Sequence, residues 1–191
     1  MTPQAKIVLA IARHQASLQV GEVPGPIHNS RILRYHAATQ LKAQADEVPW
    51  CSSALNWCVI LSALLLDPAK TSQRLGHFGF KTSEIELFLK EALDAIEGAE
   101  ILGAWIDGTH SIALPGFDAL AKSWLPFGRP SVGNEGDVVI FRMPAGSYHV
   151  GLVDAKVGAN DQVVQVLGGN QRDAFNVLAF KKANVIAFRE F

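Results

Sequence analysis

The chain is short of cysteine, of charge and of long apolar runs, and each scarcity removes a class of protein. Two cysteines in 191 residues are too few for a disulfide scaffold. Charged residues make up 18% and the formal net charge is −1, which leaves no electrostatic footprint for nucleic acid or anionic lipid. The apolar stretch from Ile7 to Ala12 and the run from Val59 to Leu66 both fall short of the roughly 20 residues that cross a bilayer. The first has some likeness to a signal h-region, but no small-residue cleavage site follows it. An amphipathic first helix carrying Ile7, Leu9, Ile11 and Leu18 is the better reading. His14, His28, His36, His77 and His110 lack HExxH-like spacing, so neither a metal nor an organic cofactor is expected. Internal repeats and low-complexity tracts are missing too.

What is present is enough apolar material for the core of one domain, taken as 1–191. The first two-thirds reads as helical, over roughly 3–18, 30–38, 51–66 and 83–97. In the last of these Ser83 and Glu86 have capping-box spacing. Apolar residues recur there at Ile85, Phe88, Leu89, Ala92, Leu93 and Ile96, and Gly98 marks the end. After Gly133 the apolar period moves towards two. Strands are expected at Asp137–Met143, His149–Ala155, Gln162–Leu167, Phe175–Phe180 and Val185–Phe188, joined by Gly-, Pro- and Asn-rich turns. Short connections imply antiparallel neighbours. The expectation is therefore an α+β fold with helices first and a meander sheet of about five strands after them.

Cys51 stands where the loop Val48-Pro49-Trp50 gives way to an apolar helical run. Helix N-termini favour a thiolate through unpaired N–H groups and the macrodipole, and the same N–H groups can stabilise an oxyanion. Cys58 would lie roughly 10 Å further along that helix, too far to pair with Cys51; it reads as a core residue. His149 opens a strand and is the natural general base. Asn170, in Leu167-Gly168-Gly169-Asn170-Gln171, is placed to fix the imidazole, with Gln171 and Gln165 as substitutes. Trp50, Ser52 and Gln171 are expected to touch substrate. Glu22 and Asp137 read as turn-fixing carboxylates.

Taken in order, these residues resemble the papain-like peptidoglycan hydrolases of the NlpC and CHAP type. The likeness rests on Gly21-Glu22-Val23-Pro24-Gly25 with Val20, on Asn29, Arg31, Ile32 and Tyr35, and on Glu47-Val48-Pro49-Trp50-Cys51-Ser52 with Asn56-Trp57-Cys58. It continues through Ser123-Trp124-Leu125, Gly128, Gly136-Asp137-Val138-Val139, His149-Val150-Gly151 and the Gly168-Gly169-Asn170-Gln171 run. Each piece is weak alone; the ordered set covers the chain except for about 60–117. Two features depart from the pattern: Trp50 precedes the nucleophile where many members carry aspartate, and 60–117 is longer than the usual linker.

The resemblance implies a catalytic helix packed on an antiparallel sheet and hydrolysis of an amide bond in peptidoglycan stem peptides. Cys51 would be nucleophile, His149 base and Asn170 the orienting residue. The 60–117 stretch is expected to be a packed helical insertion, with a lid or an inhibitor-docking surface as the alternative. Without an export signal, the route to the wall would be injection as an antibacterial effector, for instance through type VI secretion, or release through a holin as a phage lysin. The effector route would bring an immunity protein as partner. A monomer is expected. Two other functions fit the same residues: a non-catalytic wall-binding module, and a Cys-His deamidase or acyltransferase acting on protein.

Overall fold

A computed structural model of the chain describes residues 1–96 and 112–191. Its helices are α1 (Pro3–Ser17), α2 (Ser30–Ala37), α3 (Cys51–Leu66), α4 (Pro68–His77) and α5 (Thr82–Ile96). A short 3-10 turn, Ala121–Trp124, leads into six strands: β1 (Arg129–Pro130), β2 (Val138–Arg142), β3 (Tyr148–Val153), β4 (Val163–Gly168), β5 (Asn176–Lys181) and β6 (Val185–Glu190).

Helix α3 organises the molecule. It carries apolar residues around its whole circumference, so it can satisfy them only by being enclosed, and all sixteen of its residues are buried. Helices α1, α2, α4 and α5 and strands β3 and β4 pack around it. The surrounding helices start on local signals. Thr2 Oγ1 accepts from Ala5 N at 3.1 Å with Pro3 at the first helical position, and Asn29 Oδ1 accepts from Arg31 N at 2.9 Å. Asp67 Oδ1 accepts from Lys70 N at 2.9 Å ahead of Pro68. That cap splits the region after α3 and creates α4, a helix not expected as a separate element. At α5 the carboxylate that reaches back is Glu84, bonded to Lys81 N at 2.7 Å, not Glu86. Leu18 and Leu93, assigned to apolar faces, are 44% and 47% exposed; Leu18 is already the cap beyond the last turn of α1. Gly98 and His110 lie outside the described residues.

The sheet is antiparallel, in the order β1-β6-β2-β3-β4-β5. Strands β2 to β5 form the expected meander, but β6 leaves it and pairs with β2. Only Lys182–Asn184 separate β5 from β6. Four Cα steps reach at most about 14 Å, whereas four interstrand spacings in a flat sheet need about 19 Å. The sheet must therefore curl until its two sides approach. The curl produces two cores. Val138, Ile140, Val150, Leu152 and Leu167 face the helices, while Val139, Phe141, Val153, Val157, Val164 and Val166 form a second cluster on the concave side. Asp137 fixes the turn before β2, accepting from Asn134 N at 2.6 Å and from Ser131 Oγ.

Candidate active site

Cys51 is the first residue of α3. Its predecessor Trp50 has φ −118° and ψ 12°, and no side chain caps the helix, so the first N–H groups keep their donating capacity. The sulfur lies against the backbone N–H of Val150 and the N–H groups of Ser52 and Cys51, all of which favour the thiolate. Burial outweighs them and pushes the Cys51 thiol above its ordinary value. The helix terminus thus does not deliver the thiolate expected from sequence; the resting sulfur is a neutral thiol. Cys58 is fully enclosed, and burial raises its thiol as well. The two cysteines are not bridged.

His149 is 6% exposed and belongs to the strand segment whose next peptide touches the Cys51 sulfur. Alternation along β3 directs Tyr148, Val150 and Leu152 to the helical core. The His149 ring turns to the concave side, stacked on Phe180 at 5.1 Å and 16°. Its Nε2 is buried without a hydrogen-bond partner, and no hydrogen bond joins it to Cys51. Desolvation lowers its pKa to about 4, against a raising contribution from the Gln171 side chain. The imidazole is therefore neutral at neutral pH.

Gln171, not Asn170, meets the ring. Gln171 is 2% exposed, and its Nε2 donates to Val166 O at 3.1 Å, Gly168 O at 2.9 Å and Asn176 O at 2.7 Å. With the nitrogen held by carbonyls, Oε1 is left as a buried acceptor without a partner, beside a histidine whose Nε2 also has none. Asn170 is partly exposed, makes no hydrogen bond to His149 and takes a left-handed φ of 56°. It supplies the turn that its Gly-Gly-Asn context foreshadows. Arg172 and Asp173 are left-handed as well, at 55° and 61°. A loop of such residues is strained, and it delivers Gln171 inward. Gln165 sits exposed on β4, away from this role.

The positions expected to touch substrate serve the scaffold instead. Trp50 is fully buried, donates from Nε1 to Glu22 Oε1 at 2.8 Å and stacks on Tyr35 at 5.8 Å. Glu22 is thus an acceptor for an indole, not a holder of backbone N–H groups. Ser52 Oγ donates to Asp118 O at 2.8 Å and accepts from Trp124 Nε1 at 2.9 Å. Those bonds tie the 3-10 turn to the residue after Cys51. Gln171 is bound up as described. The glycines that precede it explain themselves by close approach. A Cβ on Gly169 would stand 2.4 Å from the Trp50 ring and 2.8 Å from Ala54 Cβ, and one on Gly151 would stand 2.6 Å from Val166.

Among the described residues one group has the donors for a cation: His28, Asp46 and Glu47, with ligand atoms within 4.8 Å of one another. Asp46 is already saturated. It accepts from Val23 N at 3.0 Å and Asn29 N at 2.8 Å on one oxygen and lies 2.9 Å from His28 Nδ1 on the other. Burial alone would raise its pKa, but these donors hold it well below the usual carboxylate range. The group is a clamp closing the loop 23–29 onto the segment before Cys51.

No family model, no curated protein and no solved structure matches the chain. The described fold is α+β with an antiparallel sheet, and no described helix is long and apolar enough to cross a membrane.

Proposed function

We propose that the protein is a cysteine hydrolase of the papain-like NlpC and CHAP type that cleaves an amide bond in peptidoglycan stem peptides. The observation that carries this reading is the seat of the Cys51 sulfur. It lies at the uncapped start of α3, against the peptide N–H that immediately follows His149.

The chemistry starts from a neutral pair. For the thiol proton to pass to it, the His149 ring must first turn from its stack on Phe180 towards α3; deprotonated above about pH 4, it can then accept that proton. Catalytic hydrogen bonds are often unformed in the free enzyme and close with substrate in place. The sulfur attacks the scissile carbonyl carbon, and the oxyanion faces N–H donors at the start of α3. The C–N bond breaks as the imidazolium gives its proton to the leaving amine. Water, deprotonated by the same imidazole, then hydrolyses the thioester and returns the thiol. Gln171 Oε1 acts as a positioning group, accepting from the ring and fixing its tautomer. In this account Asn170 shapes the turn and no metal takes part.

The same reading makes the protein an antibacterial effector or phage lysin, with an immunity protein as partner in the first case. The direct test is digestion of purified peptidoglycan, with fragments resolved by mass spectrometry. The native protein should release peptides with one defined new terminus, and Cys51→Ala should release none while keeping its fold. Equal release by Cys51→Ala would refute the mechanism. Modification of a protein glutamine or amine without wall cleavage would favour the deamidase or acyltransferase alternative.

A further inference from the structure

An exposed cation, Lys122, lies on the turn beside the start of α3. Lys122 lies in the 3-10 turn that Trp124 ties to Ser52, the residue after the nucleophile. That turn packs on β3. The Lys122 ammonium stands 5.7 Å from the ring centroid of Tyr148. Tyr148 is half-buried against the helical core, on the side of β3 that Val150 shares. The sulfur touches the Val150 N–H, and Tyr148 precedes Val150 by two residues, roughly 7 Å along the strand.

Four other cations of the described residues are held by carboxylates. Arg13 pairs with Glu135 and Asp154, Arg34 with Glu91, Lys42 with Glu84, and Arg129 with Glu190. Among the described residues Lys122 has no carboxylate partner, and its side chain is exposed. A cation resting on an aromatic face is held in place without being neutralised. Such a group is poised for an incoming anion.

We infer that Lys122, held on Tyr148, is a specificity-determining residue that recognises a free carboxylate on the substrate, one or two residues from the bond under attack. This inference rests on the hydrolase reading and refines its substrate. The preferred peptide carries a carboxylate at that position, and its carboxamide counterpart is discriminated against. Lys122 does not take part in bond breaking; it lowers KM for the acid form.

Two measurements test it. The first needs no turnover. N-bromoacetyl-alanine and N-bromoacetyl-alaninamide differ only in a carboxylate one residue from the electrophilic carbon. Labelling of Cys51 by each is followed by peptide mass spectrometry. The acid-to-amide rate ratio should fall by about three- to ten-fold in Lys122→Met. Lys122→Arg should keep it, and Lys182→Met, a distant control, should leave it unchanged. An unchanged ratio in Lys122→Met overturns the inference, and so does a Cys51 that reacts with neither reagent.

The second measurement compares stem peptides bearing either the acid or the amide. The acid should be preferred, and Lys122→Met should raise its KM while kcat holds. Equal use of the two peptides by the native protein overturns the inference. If neither peptide is cut, the hydrolase reading fails, and the reagent ratio still decides whether Lys122 guides anions to Cys51.

Discussion

Replacing His149 with Asn should flatten the acid branch of the protein's stability curve. In the unfolded chain the imidazole takes up its proton near 6.5, whereas burial in the folded state delays this until about pH 4. Between those values only the unfolded chain is protonated, so acidification favours unfolding. The contribution is fully present above 6.5 and is lost as pH falls through the window towards 4. A drop from 6.5 to about 4 corresponds to about 3 kcal/mol. Against a typical domain stability of about 5–15 kcal/mol that is a large share.

Three other groups titrate nearby, and the variant separates them. Buried His36 is shifted in the same direction and persists in His149→Asn. Glu22, raised by burial, persists in that variant as well. The depressed Asp46 loses its contribution only below the ordinary carboxylate value, outside this window. Urea unfolding of both proteins from pH 7.5 to 4 gives the comparison. The native protein should lose about 3 kcal/mol more than His149→Asn, with unchanged m-values. Parallel curves would mean that the folded state protonates this imidazole as readily as the unfolded one. A ring that charges so easily would not be the enclosed, neutral base on which the proposed chemistry depends.

Two further perturbations address the frame around the site. Gly169→Ala places a methyl 2.4 Å from the Trp50 ring and should destabilise by about 1–3 kcal/mol. Gly168→Ala, whose nearest neighbour is Gln171 Nε2 at 3.4 Å, should lower the melting temperature distinctly less. Glu91→Ala removes the acceptor of the buried Trp57 Nε1, at 2.9 Å, and of Arg34, at 2.6 Å. It should cost about 2–4 kcal/mol in chemical denaturation, with Glu91→Gln costing less because an amide oxygen can still accept from one of them.

Glu91 also bears on the region 60–117, which sequence alone allowed to be either packing or lid. Glu91 lies on α5 and holds α2 through Arg34 and α3 through Trp57. With Phe88 and Ala92 buried beside it, the described part of the insertion is a buttress for α3. The amphipathic spacing showed that a helix would form there. It could not show which polar residue would be swallowed by the interface, because a glutamate on a helix is an ordinary surface residue until a neighbouring indole needs an acceptor.

The same distinction runs through the site. Strand positions, the start of α3 and the order of thiol and imidazole were legible, because they follow from hydrophobic period and turn chemistry. The return of β6 to β2 was not, since period says nothing about which edge a strand joins; only the short Lys182–Asn184 link forces the curl. Gln171 was weighed as a substitute and Asn170 preferred, yet both sit after a glycine pair and differ by one residue. The left-handed backbone at 170, 172 and 173 turns the glutamine inward and the asparagine out. Trp50 and Ser52 looked like cleft residues because they flank Cys51. Flanking residues on a wholly enclosed helix are enclosed with it, so their chemistry is spent on Glu22, Asp118 and Trp124. Period and turn chemistry made the places of the thiol and the imidazole legible; they could not show that the fold encloses both and turns the imidazole onto Phe180.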